Sequence, residues 1–170
     1  MTVLGSSGAT SWQSWLRNRF WLLLPLLLLN AALTPLLPAG YQPEGFSRDI
    51  PAGLSAAENG LRLLVSAAPL LMPLPGRTLR PVLGLYGAGV LLYAAAWWAV
   101  IAAPDSLWST SLIGFTAPAW TSVIWLAGLG LGSTLRGMPR YRPWMYLSAA
   151  VLFTVLHTVH AALVWDRIQG

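Results

Sequence analysis

The sequence predicts an all-α fold, a polytopic bundle of membrane-spanning helices, and three observations indicate this class. Of the 170 residues, 56% are apolar and only 9% are charged, whereas about 25% are charged in a typical soluble protein. The mean hydropathy is +0.61. Apolar stretches of about 20 residues recur, and each is long enough to cross a hydrocarbon core of roughly 30 Å as a helix. We therefore expect a single transmembrane domain over residues 1–170, with no soluble domain attached.

These stretches predict five transmembrane helices. Their expected bounds are residues 20–38, 54–75, 82–103, 117–135 and 145–165. Residues 1–18 precede the first span as a cytoplasmic segment, and residues 39–53 form the longest outer loop. Arginines before an apolar run are also typical of a signal peptide, but this run exceeds the core of about 7 to 15 residues that signal peptides have. We therefore expect the first span to remain as a helix.

The arginines indicate the direction of the chain, because cytoplasmic loops of membrane proteins are enriched in Lys and Arg. All ten basic residues are arginine. With the N-terminus in the cytoplasm, seven lie inside, at positions 17, 19, 77, 80, 136, 140 and 142, and two lie outside, at positions 48 and 167. We therefore expect a multi-pass protein with a cytoplasmic N-terminus, in the cytoplasmic membrane of a bacterium.

The second span is the least regular of the five. It contains Glu58, Asn59 and Arg62, and prolines interrupt its inner half. A four-helix alternative leaves this segment on the membrane surface and keeps residues 77–170 in the same orientation. The arginine counts inside and outside are then seven and three, so the charges favour five helices only slightly. We choose five because an arginine pair immediately before the first span usually holds that end in the cytoplasm.

Tryptophan and tyrosine cluster at the expected ends of the spans. Such rings favour the membrane interface because they are apolar while their N–H or O–H needs a wet partner. The inner group is Trp12, Trp15, Trp21, Tyr141, Trp144 and Tyr146, and the outer group is Trp97, Trp98, Trp108, Trp120 and Trp165. Trp125 is the exception, because it lies inside the fourth span. We interpret the two groups as anchoring belts, and Trp125 as a residue that packs against helices or lines a ligand pocket.

Small residues spaced four apart indicate where helices approach one another closely. Gly128 and Gly132 form such a pair in the fourth span, and Gly84 and Ala88 form a looser pair in the third. Packing within the bundle is the simpler interpretation. Contact with a partner membrane protein is the alternative.

Polar residues gather at one depth once the direction of each span is considered. The second span enters from outside, so Glu58, Asn59 and Arg62 lie in its outer half. The fifth span leaves toward the outside, so His157 and His160 also lie in its outer half. Lipid cannot satisfy such groups, which normally face protein or water. We therefore predict an outward-facing polar chamber between the second and fifth spans. The predicted ligand-binding residues are Glu58, Asn59, Arg62, Trp125, His157 and His160.

Simpler explanations exist for the same residues. Glu58 and Arg62 lie four apart, which is the spacing of a structural ion pair on one helix. His157 and His160 lie three apart, a spacing that suits a metal ion, but a metal site needs a third or fourth ligand and only Glu58 is an obvious donor at this depth. Haem between two histidines is not expected, because both project from one face of one helix. We predict no metal and no cofactor.

Other chemistries are excluded by what the sequence lacks. It has no cysteine, which excludes disulfides, thiolate metal sites and cysteine nucleophiles. It also contains no Gly-rich phosphate loop, no HExxH and no GxSxG. The net charge is +5, but the arginines flank apolar segments instead of forming one basic face, so nucleic acid is not an expected partner. The expected partners are the lipid bilayer, an amphipathic small molecule and a partner membrane protein.

Three functional classes remain. The first, which we favour, is a small integral membrane protein that binds or carries a lipid-like or amphipathic ligand in the polar chamber. Arg62 would then receive an anionic head group, because its planar donors suit phosphate or carboxylate. The second is an accessory or structural subunit of a membrane complex. The third is an enzyme for a membrane-embedded substrate, with Glu58 or His157 as general acid or base.

Overall fold

The computed structural model describes residues 17–74 and 79–170, and the regular structure of this part is helical, with no strand. The five longest helices are α1 (Leu24–Leu33), α2 (Ala52–Leu71), α3 (Leu79–Ala102), α4 (Ser122–Gly130) and α5 (Pro143–Gln169). Each of them overlaps one of the five predicted spans. The predicted all-α class is therefore confirmed for the described residues.

Shorter helical segments connect these helices. They are the 3₁₀ turns Arg19–Leu23, Thr34–Leu36 and Ala39–Tyr41 and the short α-helices Pro43–Phe46, Leu107–Thr110, Leu112–Phe115 and Ala117–Trp120. Ser106 and Ser111 each cap one of these segments, because the hydroxyl accepts a hydrogen bond from the backbone N–H three residues later. Residues 1–16 of the predicted N-terminal segment, with Trp12 and Trp15, and residues 75–78, with Arg77, lie outside the described residues.

Three helical stretches are long and apolar enough to cross a membrane, judged by length and composition. They are Arg19–Leu36, Arg80–Ala102 and Pro143–Gln169. The helix α2 has 20 residues, but it contains the charged pair Glu58 and Arg62. The described part of the chain is therefore helical, with three stretches suited to a membrane by length and composition.

The fourth predicted span, residues 117–135, is shorter and less regular than expected. It divides into Ala117–Trp120 and α4, which is only nine residues long. The backbone becomes extended at Leu131, and Gly132 and Gly137 then adopt positive φ angles of 57° and 77°. Glycine adopts this conformation without a steric penalty because it has no Cβ. Gly132 therefore lies in a loop and not on the helix face that the GxxxG pattern predicted.

Polar contacts between helices show that α1 and α3 run in the same direction. The hydroxyl of Tyr86 donates to the carbonyl of Leu22. Further along both segments, the hydroxyl of Tyr93 donates to Oδ1 of Asn30 at 2.7 Å. Both residues lie in stretches suited to a membrane, and their contact satisfies the Tyr93 hydroxyl and the carbonyl oxygen of the Asn30 amide where lipid offers no partner.

The helix α5 runs antiparallel to both α4 and α2. On one side, Ser122 of α4 pairs with Thr154 at 3.2 Å between hydroxyl oxygens, while a Cβ on Gly130 would meet the side chain of Leu147. On the other side, α2 places Glu58 beside the histidines of α5, and the hydroxyl of Tyr146 donates to the Val65 carbonyl at 3.1 Å. The helix α2 therefore lies along α5 instead of crossing it.

The helices α3 and α4 approach one another closely. A Cβ on Gly89 would be 2.3 Å from the backbone nitrogen of Trp125, and one on Gly128 would be 2.6 Å from that of Tyr86. Gly128 therefore serves packing inside the bundle. The close approach predicted at Gly84 is wrong, because a Cβ there would meet nothing within 4 Å.

Arg19 connects three segments at one end of the bundle. It is only 1% exposed, and among the described residues its guanidinium donates only to backbone carbonyls. The acceptors are Leu129 at 2.5 Å, Leu131 at 2.9 Å, Gly132 at 3.3 Å and Pro73 at 3.3 Å. The last carbonyls of a helix lack partners within the helix and carry a partial negative charge. Arg19 therefore terminates α4 and ties it to the end of α2.

Candidate functional site

Glu58 lies at the centre of a cluster of four ionisable side chains. Its Oε1 accepts hydrogen bonds from Arg62 and from Nδ1 of His157, the latter at 3.0 Å. Its Oε2 lies 2.5 Å from Nδ1 of His160. The Glu58 side chain is only 2% exposed. We call these four residues the Glu58 cluster.

Helix geometry and helix packing together produce the cluster. Residues four apart on a helix are neighbours on its surface, which brings Arg62 to Glu58 along α2. The same rule places His157 and His160, three apart, on one face of α5. The antiparallel contact of α2 with α5 then brings the two pairs together.

Both ring nitrogens of His160 make hydrogen bonds. Its Nε2 lies 3.0 Å from the carbonyl of Phe46, and a carbonyl can only accept, so this nitrogen carries a proton. One further proton must lie between its Nδ1 and Oε2 of Glu58 for that contact to be a hydrogen bond. Whichever of the two atoms holds it, Glu58 and His160 together carry no net charge. The ring of Phe46 also stacks on His160, with centroids 4.7 Å apart.

Arg62 therefore supplies the net positive charge of the cluster. Its side chain is 48% exposed, in contrast to the buried carboxylate beside it. The guanidinium also donates to Oδ1 of Asn59 at 3.0 Å and lies 6.0 Å from the ring centroid of Phe153. These contacts occupy part of its five N–H donors and leave others for a further acceptor.

His157 differs from His160 in having one ring nitrogen available. Its Nδ1 contacts Glu58, and its ring stacks on Phe153 with centroids 5.5 Å apart and planes within 10°. Its side chain is 25% exposed. Its Nε2 makes no hydrogen bond within the described part of the chain. The cluster therefore presents Arg62 and His157 outward and keeps Glu58 and His160 buried.

A cavity of about 360 Å³ lies against the cluster, and we call it the polar chamber. All four residues of the Glu58 cluster and Asn59 border it. Its other walls are largely aromatic, and they include Tyr41, Phe46, Trp97 and Phe115. Ligand sites in proteins are typically concave, largely apolar and supplied with a few convergent polar groups. The polar chamber has this composition.

The loop of residues 39–53 covers the polar chamber. Its Tyr41 hydroxyl donates to the Phe115 carbonyl at 3.1 Å, and burial raises the pKa of Tyr41, so the donor proton is retained. Arg167, near the end of α5, donates to the Gly45 carbonyl at 2.5 Å. Together with the contact between His160 and Phe46, these hydrogen bonds hold the loop in place.

A second cavity, of about 260 Å³, adjoins the polar chamber, and we call it the apolar cavity. Arg62, Pro118 and His157 border both spaces. Most of the remaining wall is apolar and includes Leu23, Leu26, Val65 and Phe153. Asn30, Tyr93 and Trp125 also border this cavity. The two spaces therefore meet at the exposed members of the Glu58 cluster.

Glu58, His157 and His160 are not arranged as a metal site. Within residues 17–74 and 79–170, no group of three or more His, Asp or Glu side chains is arranged to hold a metal ion. The Nδ1 atoms of His157 and His160 both face oxygens of Glu58. Their hydrogen bonds occupy the atoms that a metal would need as ligands.

The structure brings five of the six predicted site residues to one chamber. Trp125 does not border this chamber, but it lines the apolar cavity together with Arg62 and His157. Sequence reasoning missed Phe46, whose carbonyl and ring both contact His160. A backbone carbonyl leaves no signal in residue identity, so this contact was not predictable. In comparisons with known proteins, no family model, curated protein or solved structure matches this chain.

Proposed function

We propose that this protein binds or carries an amphipathic ligand with an anionic head group. The head group lies in the polar chamber against Arg62 and His157, and the hydrocarbon part extends into the apolar cavity. The observation that carries the proposal is that these two residues border both cavities. A ligand with a charged end and an apolar end is complementary to that junction.

The charge of the Glu58 cluster supports an anionic head group. Glu58 and His160 cancel one another, so Arg62 leaves the cluster with a charge of +1 when His157 is neutral. A planar guanidinium with free N–H donors suits phosphate or carboxylate oxygens. The nearby rings of Tyr41, Trp97 and Phe115 contribute apolar surface.

Arg62→Ala is expected to release the ligand while the fold persists. A hydrogen bond to a charged group contributes about 1.5–3 kcal/mol, so affinity falls roughly ten- to hundredfold. Native mass spectrometry of the protein, gently extracted from its own membrane, checks this as the fraction that carries a co-purified small molecule. The released molecule is then identified by fragmentation.

Arg48→Ala is the matched control, because it removes the same charge from an exposed ion pair with Asp49. It is expected to leave occupancy unchanged. Equal occupancy in wild type and Arg62→Ala would overturn the proposed role of Arg62. A wild-type protein that carries no small molecule but retains a second polypeptide would instead favour an accessory subunit.

We also propose that the chain crosses the membrane five times with its N-terminus in the cytoplasm. The antiparallel contact between α2 and α5 supports a crossing α2. The two ends of the bundle also differ. Backbone contacts of residues 17–19 with residues 72–74 lie at one end, and the contacts of Tyr41 and Arg167 lie at the other.

Single cysteines test this topology, because the chain has no native cysteine. We expect an impermeant maleimide to label Ser47→Cys from outside and Met138→Cys only after permeabilisation. The four-helix arrangement predicts the opposite result for Ser47→Cys and the same result for Met138→Cys. The second variant is therefore the internal control, and labelling of Ser47→Cys only after permeabilisation would exclude five crossings.

A second candidate function is acid–base catalysis on the bound ligand. The observation that favours it is the free Nε2 of His157, whose ring is oriented by a carboxylate through Nδ1, the arrangement of a general base. The candidate general base is His157, and Glu58 orients it. His157→Gln is then expected to abolish conversion of the ligand that remains bound, measured as product formed per molecule of bound ligand. An unchanged ligand after prolonged incubation with wild type would exclude catalysis.

A further inference from the structure

The apolar cavity contains hydrogen-bond donors that no described residue satisfies. They belong to Asn30 of α1 and Trp125 of α4, which border the cavity together with Tyr93. The Trp125 donor is buried, and a buried donor without an acceptor typically costs about 1–3 kcal/mol. Lipid cannot supply the missing acceptor, so this donor, beside the partly buried amide of Asn30, indicates a partner.

The orientation of the Asn30 amide is set by its neighbour. Tyr93 donates its hydroxyl proton to Oδ1 of Asn30 at 2.7 Å, which uses the carbonyl side of the amide. The amide nitrogen, with two N–H donors, makes no hydrogen bond to the described residues. Asn30 therefore contributes donors to the wall of the apolar cavity.

Trp125 adds a donor of the same kind. Its indole Nε1 is buried and has no hydrogen-bond partner among the described residues. Indole has a donor and no acceptor. The tight packing of Trp125 against Gly89 holds this side of the cavity in place.

These donors select an uncharged acceptor. The surrounding wall is apolar, so a charged oxygen at this depth would lose more in desolvation than a neutral hydrogen bond returns. The proposed function places the charged group of an anionic ligand against Arg62. A water molecule in this place would accept from the donors but would need acceptors for its own protons. A carbonyl has two lone pairs and no proton to place.

We propose that Asn30 and Trp125 bind a carbonyl group of the ligand, which makes the ligand an acylated anionic lipid. This inference rests on the proposed function. The phosphate or carboxylate lies at Arg62, an ester or amide carbonyl lies at Asn30 and Trp125, and the acyl chain fills the apolar cavity. The class excludes anionic lipids whose chain is joined through an ether or is a bare hydrocarbon.

Two lipid probes of equal chain length test this assignment. One is 1-acyl-glycerol 3-phosphate, and the other is its 1-O-alkyl analogue, in which a methylene replaces the carbonyl. A neutral hydrogen bond contributes about 0.5–1.5 kcal/mol, so the acyl probe is expected to bind wild type roughly three- to tenfold more tightly. Titration in detergent micelles, read by native mass spectrometry, measures the ratio of affinities.

The same ratio, measured in variants, tests which residues bind the carbonyl of the acyl probe. Trp125→Phe and Asn30→Leu are expected to bring the ratio close to one, because each removes a donor and keeps an apolar side chain. Arg62→Ala is expected to weaken both probes equally and to preserve the ratio. If Asn30→Leu fails to fold, because Tyr93 loses its acceptor, Trp125→Phe and the wild-type ratio decide the matter.

The outcomes separate this inference from the function on which it rests. Equal affinities of wild type for the two probes, or a ratio that persists in Trp125→Phe, would overturn the carbonyl site and leave anionic lipid binding intact. Failure of both probes to bind wild type, together with equal occupancy of wild type and Arg62→Ala by the co-purified molecule, would overturn the proposed function itself.

Discussion

Gly89→Ala is expected to destabilise the protein severely. The added Cβ would lie 2.3 Å from the backbone nitrogen of Trp125 and 2.7 Å from its Cα. Overpacking commonly costs about 1–3 kcal/mol, and a clash with backbone atoms cannot be relieved by a rotamer change. We expect the upper end of that range. Thermal unfolding in detergent, followed by circular dichroism, measures the loss.

Gly84→Ala is the matched control on the same helix, because its Cβ would meet nothing within 4 Å. It is expected to leave the melting temperature unchanged. Gly128→Ala is expected to behave like Gly89→Ala, since its Cβ would lie 2.6 Å from the backbone nitrogen of Tyr86. Equal stability of all three variants would show that α3 and α4 are not in contact there.

The consequence of this contact extends to the apolar cavity. Trp125 lies both against Gly89 and in the cavity wall. Separation of α3 from α4 therefore displaces a residue that we assign to ligand binding. A Gly89→Ala protein that still folds is expected to lose ligand as well as stability.

Arg19→Met is expected to have a comparably large effect. It removes the donor from four backbone carbonyls, three of them at the end of α4. The hydrogen bond to the Leu129 carbonyl is buried and the other three are partly buried, and a buried carbonyl left without a partner typically costs about 1–3 kcal/mol. Part of this cost is offset because the buried guanidinium no longer has to be desolvated. We expect a net loss of more than about 3 kcal/mol, measured as for the glycine variants.

Arg17→Met is the control for charge and position. Arg17 is exposed, and its backbone carbonyl, which accepts from the N–H of Leu74, is unaffected by the substitution. Arg19→Lys is expected to be intermediate, because an ammonium group cannot reach carbonyls on several segments with a planar fork of donors. Equal stabilities of Arg17→Met and Arg19→Met would show that Arg19 contributes to the orientation of the chain in the membrane and not to the stability of the fold.

The class of fold and the approximate helix positions follow from the sequence. Composition and the length of apolar stretches predict membrane helices, because burying a polar backbone in lipid requires internal hydrogen bonds. The common depth of Glu58, Arg62, His157 and His160 also follows, because it depends only on the direction of each span and on position within it.

The sequence determined neither the rotation of each helix about its axis nor the neighbour that each face meets. Depth follows from counting residues along a span, whereas rotation depends on packing with residues distant in the chain. The tertiary structure alone therefore showed that His160 makes hydrogen bonds through both ring nitrogens, whereas His157 uses only Nδ1. It placed the close approach at Gly89 instead of Gly84. It also showed that Arg19, interpreted from sequence as a topology signal, is buried against the carbonyls of α4.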